Sequence, residues 1–185
     1  MAEERLLPNG DDAGWTSGGW ADVDEGIASF DDDTTKVVSG TTATPVAEGA
    51  TLNLDFAPRI TVVDADTVTR VAFDIRATSD LISTGSDLTA QLVIGGTPQG
   101  AAVALGLTAS WATFSDVNDV GWNSDWTEAQ LNGAQVRFIT TQSGKPTSDV
   151  WEVSTVDLVI TYTPAAGGGL SIPVAFNHYA KMRSG

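Results

Sequence analysis

The chain has the length of one ordinary domain, but its charge restricts what that domain can bind. Its 185 residues carry 24 acidic and only nine basic side chains, a net charge of -15, and the isoelectric point is near 4.1. Nucleic acid and anionic membranes both require a basic surface, so we expect neither as a partner.

The first ten residues differ from the rest, and we interpret residues 1–10 as an N-terminal arm. They are charged at first and then pass through Leu6-Leu7-Pro8 into the turn residues Asn9-Gly10. From residue 11 to residue 164, strand-forming runs recur between Gly, Pro and Asn turn signals. Strands are predicted over residues 22–28, 36–39, 51–56, 67–78, 88–94, 102–107, 112–117, 134–141 and 150–162.

The alternation is clearest in the strand predicted over residues 67–78. Apolar and charged side chains follow each other there with a period of two, which is typical of a strand with one buried face. The predicted buried face holds Val71, Phe73 and Ile75, and the predicted solvent face holds Arg70, Asp74 and Arg76. One short helix is predicted at 126–131. The pattern predicts an all-β chain, folded as a single jelly-roll-like β-sandwich over residues 11–164.

Residues 165–185 change in character, because a Gly-rich linker leads into an apolar and basic segment. Two interpretations are open: a frayed terminus, or a docking tail that packs on a neighbouring subunit or on its own sandwich. We favour the docking tail, since large apolar side chains are poorly suited to water. The predicted partner-binding residues are Leu170, Ile172, Val174, Phe176, His178, Tyr179, Lys181 and Arg183.

Cysteine is absent and His178 is the single histidine. Disulfides, thiolate zinc sites and cysteine nucleophiles are therefore excluded. A His-based triad would have to use a residue of the C-terminal tail. We therefore expect a protein that is not an enzyme and that needs no cofactor.

Carboxylates are abundant, and most are expected to be solvated loop residues. A glycosidase needs two of them about 5–10 Å apart across a cleft, and sequence spacing alone does not exclude that arrangement. Hard oxygen ligands also cluster before residue 34, so a calcium site is a further alternative, although the spacing lacks several EF-hand ligands. The candidate calcium ligands are Asp22, Asp24, Asp31, Asp32 and Asp33.

Six tryptophans allow two interpretations. They can fill the sandwich core and its ends, which is the interpretation we favour. Alternatively, some of them form a platform on which sugar rings stack. The candidate glycan-binding residues are Trp111, Trp122 and Trp126, of which the last two flank the polar run Asn-Ser-Asp.

An ordered series of motifs runs from residue 6 to residue 163. A Leu-x-Pro start leads to Gly-Trp, then to an Asp-Glu segment, and then to Asp-Asp-Thr before a strand. The motifs are Leu6/Pro8, Gly14-Trp15, Gly19-Trp20, Asp24-Glu25, Asp32-Asp33-Thr34-Thr35, the segment 126–137 and the strand 156–163. This order resembles small β-sandwich proteins of tailed-bacteriophage virions. The chain departs from that pattern at Lys36, where an aromatic residue is expected, and in its extra tail.

The resemblance implies a non-enzymatic virion component. With the acidic body and the apolar-basic tail, it favours a capsid decoration or cement protein attached to the phage head. Its partners would be the major capsid protein or neighbouring virion subunits, and its copies would form a homo-oligomer on the particle. No signal-peptide pattern follows Met1, so we expect synthesis in the host cytoplasm. The alternative is a carbohydrate- or receptor-binding β-sandwich module on a phage tail or fibre.

Overall fold

Two antiparallel β-sheets pack face to face, which confirms the predicted all-β sandwich. A computed structural model of the chain describes residues 1–12, 15, 36–39, 49–56, 62, 67–79, 87–121, 128–141 and 150–165. Within these ranges the elements are β1 (Ala2–Leu6), β2 (Pro8–Asp12), β3 (Val37–Val38), β4 (Thr51–Phe56), β5 (Thr67–Ser79), β6 (Asp87–Ile94), β7 (Thr97–Ala104), β8 (Ala112–Gly121), α1 (Glu128–Leu131), β9 (Ala134–Thr141) and β10 (Trp151–Thr163). The strand predicted over residues 22–28 lies outside these ranges.

The strand order is that of a jelly roll. The first sheet, sheet A, has the order β1-β10-β5-β8, with β3 also pairing with β10, and the second, sheet B, has the order β2-β4-β9-β6-β7. From β3 onward, each described strand is followed by one in the opposite sheet, except at the β6–β7 hairpin. Neighbouring strands are therefore mostly distant in sequence, as the winding of a jelly roll requires.

The core lies between the sheets and follows the alternation predicted for β5. Val71, Phe73 and Ile75 are completely buried, and Phe73 stacks on Phe56 of sheet B with the ring centroids 5.8 Å apart. Arg70, Asp74 and Arg76 lie on the opposite face of the same strand, so the predicted division into two faces is confirmed, although Asp74 is buried on its face and not solvated. Burial of so many large side chains is the main source of the fold's stability.

Two of the tryptophans pack in this core, as the favoured interpretation predicts. Trp151, at the start of β10, is almost completely buried and belongs to the core cluster. Trp15 packs against the same cluster, with its ring centroid 6.1 Å from that of Phe138 on β9. Trp111 is not part of the core cluster.

The strand predicted over residues 102–107 is wrong in its bounds, because β7 already begins at Thr97 and ends at Ala104. Gly95 and Gly96 both have positive φ angles, +57° and +77°, and form a two-residue turn that starts β7 at once. This turn geometry favours glycine and suits the twist of a hairpin. After Ala104 the chain leaves the sheet, and the Asp87 carboxylate accepts hydrogen bonds from the backbone N–H groups of Gly106 and Leu107.

The prediction of an N-terminal arm at residues 1–10 is also wrong. Strand β1 pairs with β10 from Ala2 opposite Tyr162 to Leu6 opposite Leu158, and β2 pairs with β4. Leu6 is buried in the core. The segment therefore supplies an edge strand to each sheet, and residues 2–12 belong to the sandwich.

The charged residues of this segment hide the two-residue alternation of β1 in the sequence. Ala2, Glu4 and Leu6 share the inward face, and the buried Glu4 carboxylate accepts a hydrogen bond of 2.8 Å from the backbone N–H of Val62. A buried carboxylate needs such a donor. Because Glu4 stands where an apolar residue is expected, the two-residue period is lost in the sequence.

The other edge of sheet A, strand β8, carries two irregularities opposite β5. The register shifts between Val71 and Phe73 and again between Phe73 and Ile75. Asp116 and Asn118, in the corresponding parts of β8, have positive φ angles of 60° and 52°. The buried Asn118 side chain accepts a hydrogen bond from the backbone N–H of Leu92 and donates one to Ala101. These bulges therefore fasten β8 to sheet B.

Shortening Leu6 tests whether the N-terminal segment belongs to the fold. We expect Leu6→Ala to lower the free energy of unfolding by about 2–4 kcal/mol, because it removes a buried side chain from the core. Val103→Ala is the control, since Val103 is 38% exposed, and it should cost less than about 1 kcal/mol. Urea denaturation followed by tryptophan fluorescence measures both. Equal and small losses of unfolding free energy for the two variants would instead support the interpretation of residues 1–10 as an arm.

Candidate functional site

Among the described residues, basic side chains are concentrated on the outer face of sheet A, the face turned away from sheet B. The described ranges contain five lysine and arginine residues. Arg137 belongs to sheet B, and the other four place their cationic groups on the outer face of sheet A. In a chain of net charge -15 this arrangement makes the outer face of sheet A the candidate functional site. The four basic residues are Arg5, Lys36, Arg70 and Arg76.

The centre of this face holds two buried carboxylates bridged by one guanidinium. Asp74 on β5 and Asp157 on β10 lie directly opposite each other, and their side chains are 8% and 3% exposed. Like charges in that position repel. Arg5 Nη1 lies 2.7 Å from Asp74 Oδ2 and 3.0 Å from Asp157 Oδ2, while its Nε donates to Glu3. We call these four residues the Arg5 cluster.

The Arg5 cluster also fixes the charge of its guanidinium. Burial alone would lower the pKa of Arg5, but the hydrogen bonds to the three carboxylates outweigh that effect and raise it above its usual value. Arg5 is therefore charged at every pH at which proteins ordinarily fold. The two buried carboxylates keep their counter-charge throughout that range.

One end of the face is acidic. Arg70 forms an ion pair with Asp116, and its Nε donates a hydrogen bond of 3.0 Å to Asp119. The hydrogen bond to Asp116 raises the pKa of Arg70, and partial burial opposes that rise. The backbone N–H of Asp116 also donates to Asp74 Oδ1 at 3.1 Å. The β8 bulge thus connects this end to the Arg5 cluster.

The opposite end of the face carries Trp111. This residue directly precedes β8, whose first residue, Ala112, lies opposite Ala77 of β5. Lys36 comes just before β3, which pairs with β10 at Glu152. The sheet register therefore brings three distant parts of the chain together beside the indole ring.

The ring of Trp111 is half-buried and lies close to two cations. Lys36 Nζ is 5.7 Å from the ring centroid and Arg76 Cζ is 5.9 Å from it, distances at which a cation is attracted to the ring. Lys36 Nζ also pairs with Glu152 Oε2 at 2.8 Å, and Arg76 donates to Thr113. We call Lys36, Arg76, Trp111 and Glu152 the Trp111 cluster.

A buried hydroxyl lies next to this cluster. Thr155 on β10 is directly opposite Arg76 on β5, so both side chains lie on the outer face. Thr155 is completely buried, and its Oγ1 has no hydrogen-bond partner in the described part of the protein. A buried hydroxyl without a hydrogen-bond partner lowers the stability of the fold. The Trp111 cluster therefore adjoins a polar group whose hydrogen-bonding capacity is not used.

The described residues of this face offer an indole ring, cations and carboxylates, and no histidine is among them. Among the described residues, no group of three or more metal-ligating side chains is arranged to hold a metal ion. No described helix is both long enough and apolar enough to span a bilayer.

Of the predicted site residues, the structure describes Trp111 and places it in the cluster. The other two candidate glycan-binding residues, the five candidate calcium ligands and the whole predicted tail lie outside the described residues. They stay predictions. These residues are Trp122 and Trp126; Asp22, Asp24, Asp31, Asp32 and Asp33; and Leu170, Ile172, Val174, Phe176, His178, Tyr179, Lys181 and Arg183.

Three members of the Trp111 cluster were not predicted as site residues. Lys36 departs from the phage-like motif pattern, and Arg76 belongs to the predicted solvent face of its strand. Glu152 has no predicted role. Two features of the sequence could have indicated these residues. Lys36 is basic where the phage-like pattern predicts an aromatic residue, and Arg76 is a second basic residue on the polar face of a predicted strand. Their convergence on Trp111 depends on strand register, which the sequence does not contain.

No protein-family model and no curated protein sequence matches the chain. The solved structures that match the chain include the following two. One is a family two carbohydrate esterase from Cellvibrio japonicus, with 10% identity and a TM-score of 0.40 over 89% of this chain and 36% of that chain. The other is the CBM36-1 domain of a multidomain xylanase from the hindgut metagenome of Trinervitermes trinervoides, with 13% identity and a TM-score of 0.42, covering 89% and 99%.

This chain thus spans about a third of the length of the esterase chain and nearly all of the CBM36-1 domain.

Replacing Arg5 tests the bridge between the two buried carboxylates. We expect Arg5→Met to lower the free energy of unfolding by about 2–4 kcal/mol, because both carboxylates lose their counter-charge. The effect should be smaller than for a fully buried pair, since the Arg5 side chain is 44% exposed. Adding Asp157→Asn should recover part of the loss by removing the like-charge contact. Urea denaturation at pH 7 measures all three proteins.

The control is Arg137→Met on sheet B. Arg137 donates its Nε to the neutral Asn53 side chain at 3.1 Å, so no buried charge is left unpaired. Arg137→Met should lower the free energy of unfolding by about 1 kcal/mol or less. Equal losses for the two arginine variants, with no recovery from Asp157→Asn, would show that the bridge is not what stabilises this face.

Proposed function

We propose that the chain is a non-enzymatic β-sandwich module that binds carbohydrate through the Trp111 cluster. The observation that carries this proposal is the position of Trp111. The two other described tryptophans, Trp15 and Trp151, pack with the core. Trp111 instead lies half-buried on the outer face of sheet A, beside two cations and a carboxylate.

This combination matches the two surfaces of a sugar. The C–H face of a pyranose ring is apolar and packs on an aromatic ring, while its hydroxyl groups need donors and acceptors. Arg76 and Lys36 are donors, and the Glu152 carboxylate is an acceptor. Charged partners make stronger hydrogen bonds than neutral ones, so a few of them are enough to orient a ligand.

The cluster is also held in place before any ligand binds. Two cations act on the indole ring, and Glu152 holds Lys36 through their ion pair. Both Arg76 and Glu152 are carried by the two longest described strands, β5 and β10. A rigid site loses little conformational entropy on binding, which favours affinity from a small number of contacts.

We keep a virion location as part of the proposal, because the sequence motifs resemble those of tailed-phage virion proteins. A carbohydrate-binding module on a phage tail or fibre would contact host glycans. Attachment to the head, with the major capsid protein as partner, stays a prediction. Its proposed anchor is the tail after residue 165, which lies outside the described residues.

Truncating Trp111 tests the proposed function. We expect the wild-type protein to retain a subset of glycans on a broad array of neutral and acidic structures. Trp111→Ala should weaken those interactions about tenfold or more, because the stacking surface is lost. Titration calorimetry with the retained glycans measures the change.

Gln91→Ala is the control for this experiment. Gln91 belongs to β6 of sheet B and donates its side chain to the carbonyl of Gly100, so the substitution should leave affinity unchanged. Circular-dichroism melts establish that both variants fold. An array without retained glycans, or undiminished affinity of Trp111→Ala, would overturn the proposed function.

A further inference from the structure

We infer that strand β7, at the edge of sheet B, joins two copies of this chain into a symmetric dimer. The inference goes beyond the proposed function and does not rest on it. Among the described strands, β7 pairs only with β6, so its other side is an edge of the sheet. Seven of its eight residues are exposed.

The strand lies in the longest uncharged part of a strongly acidic chain. Residues 88–115 contain no charged side chain, although charged residues make up 18% of the sequence. Of the described strands, only β7 and the two-residue β3 are uncharged. Two copies of net charge -15 repel each other, and a contact between them is easiest where charges are absent. An uncharged edge therefore suits a second copy of the chain better than a strongly charged partner.

The two halves of β7 differ in how their edge is protected. The first half contains Pro98, which has no N–H group, and a bulge follows it opposite β6. The carbonyls of Gly100 and Ala101 already accept hydrogen bonds from side chains of β6 and β8. Proline, bulges and occupied carbonyls all hinder the addition of a strand. The second half, residues 102–104, has neither a proline nor a side-chain hydrogen bond of this kind in the described part of the protein.

The pairing with β6 determines which backbone groups of this second half face the edge. The N–H of Leu105 donates to the carbonyl of Leu88 on β6, and Val103 also pairs with β6. Alternate residues of an antiparallel strand bond to the same neighbouring strand. The N–H and C=O groups of Ala102 and Ala104 therefore point away from β6, and no described strand of the chain lies beyond them.

This segment matches itself across a two-fold axis. The sequence Ala102-Val103-Ala104 is the same in both directions, so an axis at Val103 places Ala102 of each copy opposite Ala104 of the other. The two pairs would exchange about four hydrogen bonds, and the two Val103 side chains would meet at the axis. Val103 is 38% exposed, and Met1 is the one other exposed large apolar residue in the described ranges. A two-fold contact requires such a self-complementary patch.

The same arrangement limits the assembly to two copies. In the dimer the two sheets B would form one continuous sheet, with a β2 strand at each of its ends. Strand β2 contains Pro8, Asp11 and Asp12, and proline and charge protect an edge against further pairing. The contact through β7 is short, so we expect a weak dimer and not a filament.

The test compares two lysine substitutions in sheet B. Val103→Lys would place two ammonium groups at the axis, on residues whose Cα atoms are about 4.5 Å apart. It should weaken the dimer at least about tenfold, although it lowers the net negative charge of each copy. Thr51→Lys makes the same change of charge at an exposed position of β4 and should leave the dimer unchanged. Sedimentation velocity of the full chain from about 5 to 500 µM measures each dissociation constant, which we expect to be about 100 µM or lower for the wild type.

Ala104→Pro provides a second variant in case Val103→Lys does not fold. It removes an N–H group that faces the edge and no hydrogen bond to β6, so it should weaken the dimer to a similar extent. Higher salt should strengthen the wild-type dimer, because it screens the repulsion between the two acidic copies. Circular-dichroism melts establish that the variants fold.

Hydrogen exchange of the wild-type chain gives a readout that needs no variant. The amide hydrogens of Ala102 and Ala104 should exchange more slowly as the protein concentration rises, because the second copy accepts their hydrogen bonds. A wild-type chain that stays monomeric over the whole concentration range would overturn the inference. A dimer that persists in both Val103→Lys and Ala104→Pro would also overturn it. Both results would leave the proposed function standing, since that is tested by glycan binding.

Discussion

The contact of Arg5 with two buried carboxylates is the constraint on which the rest of this structure depends. Asp74 and Asp157 face each other on the two longest strands of sheet A, and both are nearly inaccessible to water. Without a cation between them their repulsion would weaken the pairing of β5 with β10. Because Arg5 supplies that cation, the N-terminal strand is required on the edge of sheet A. The chain then crosses through Leu7 to become the edge strand β2 of sheet B.

The same constraint explains how the outer face is divided. The Arg5 cluster occupies its centre with one cation that contacts three carboxylates. The functional groups lie to either side, on opposite halves of β5. Arg70 and its two aspartates lie towards the start of the strand, and Arg76 lies towards its end beside Trp111. A sheet face organised in this way can present a cationic aromatic site although the chain as a whole is strongly acidic.

Much of the fold could be predicted from the sequence, because half-buried strands leave a two-residue period. The strands at 51–56 and 134–141 have the predicted bounds, and the face assignment of β5 is correct. The period failed where a charged residue takes a core position, as Glu4 does in β1. It also failed at residues 97–104, where small and mostly exposed side chains leave no alternation.

The candidate site was predictable only in part, for a physical reason. A tryptophan whose place in the fold is unknown can be proposed as a surface for sugar stacking, and Trp111 is one of the residues predicted in this way. The cations beside it come from residues 36 and 76, and their meeting depends on β3, β10, β5 and β8 lying in one sheet with a fixed register. That register is a property of the whole jelly roll. Local sequence patterns do not determine it.

The most direct test of the account is a nuclear magnetic resonance titration of the six indole N–H groups with a glycan that the array retains. Each tryptophan gives one side-chain signal, and Trp111→Phe identifies the signal of Trp111. We predict that this signal shifts progressively with ligand, while those of the core residues Trp15 and Trp151 stay in place. A Trp111 signal that does not move while the protein binds the ligand would contradict the account, because binding would then occur elsewhere.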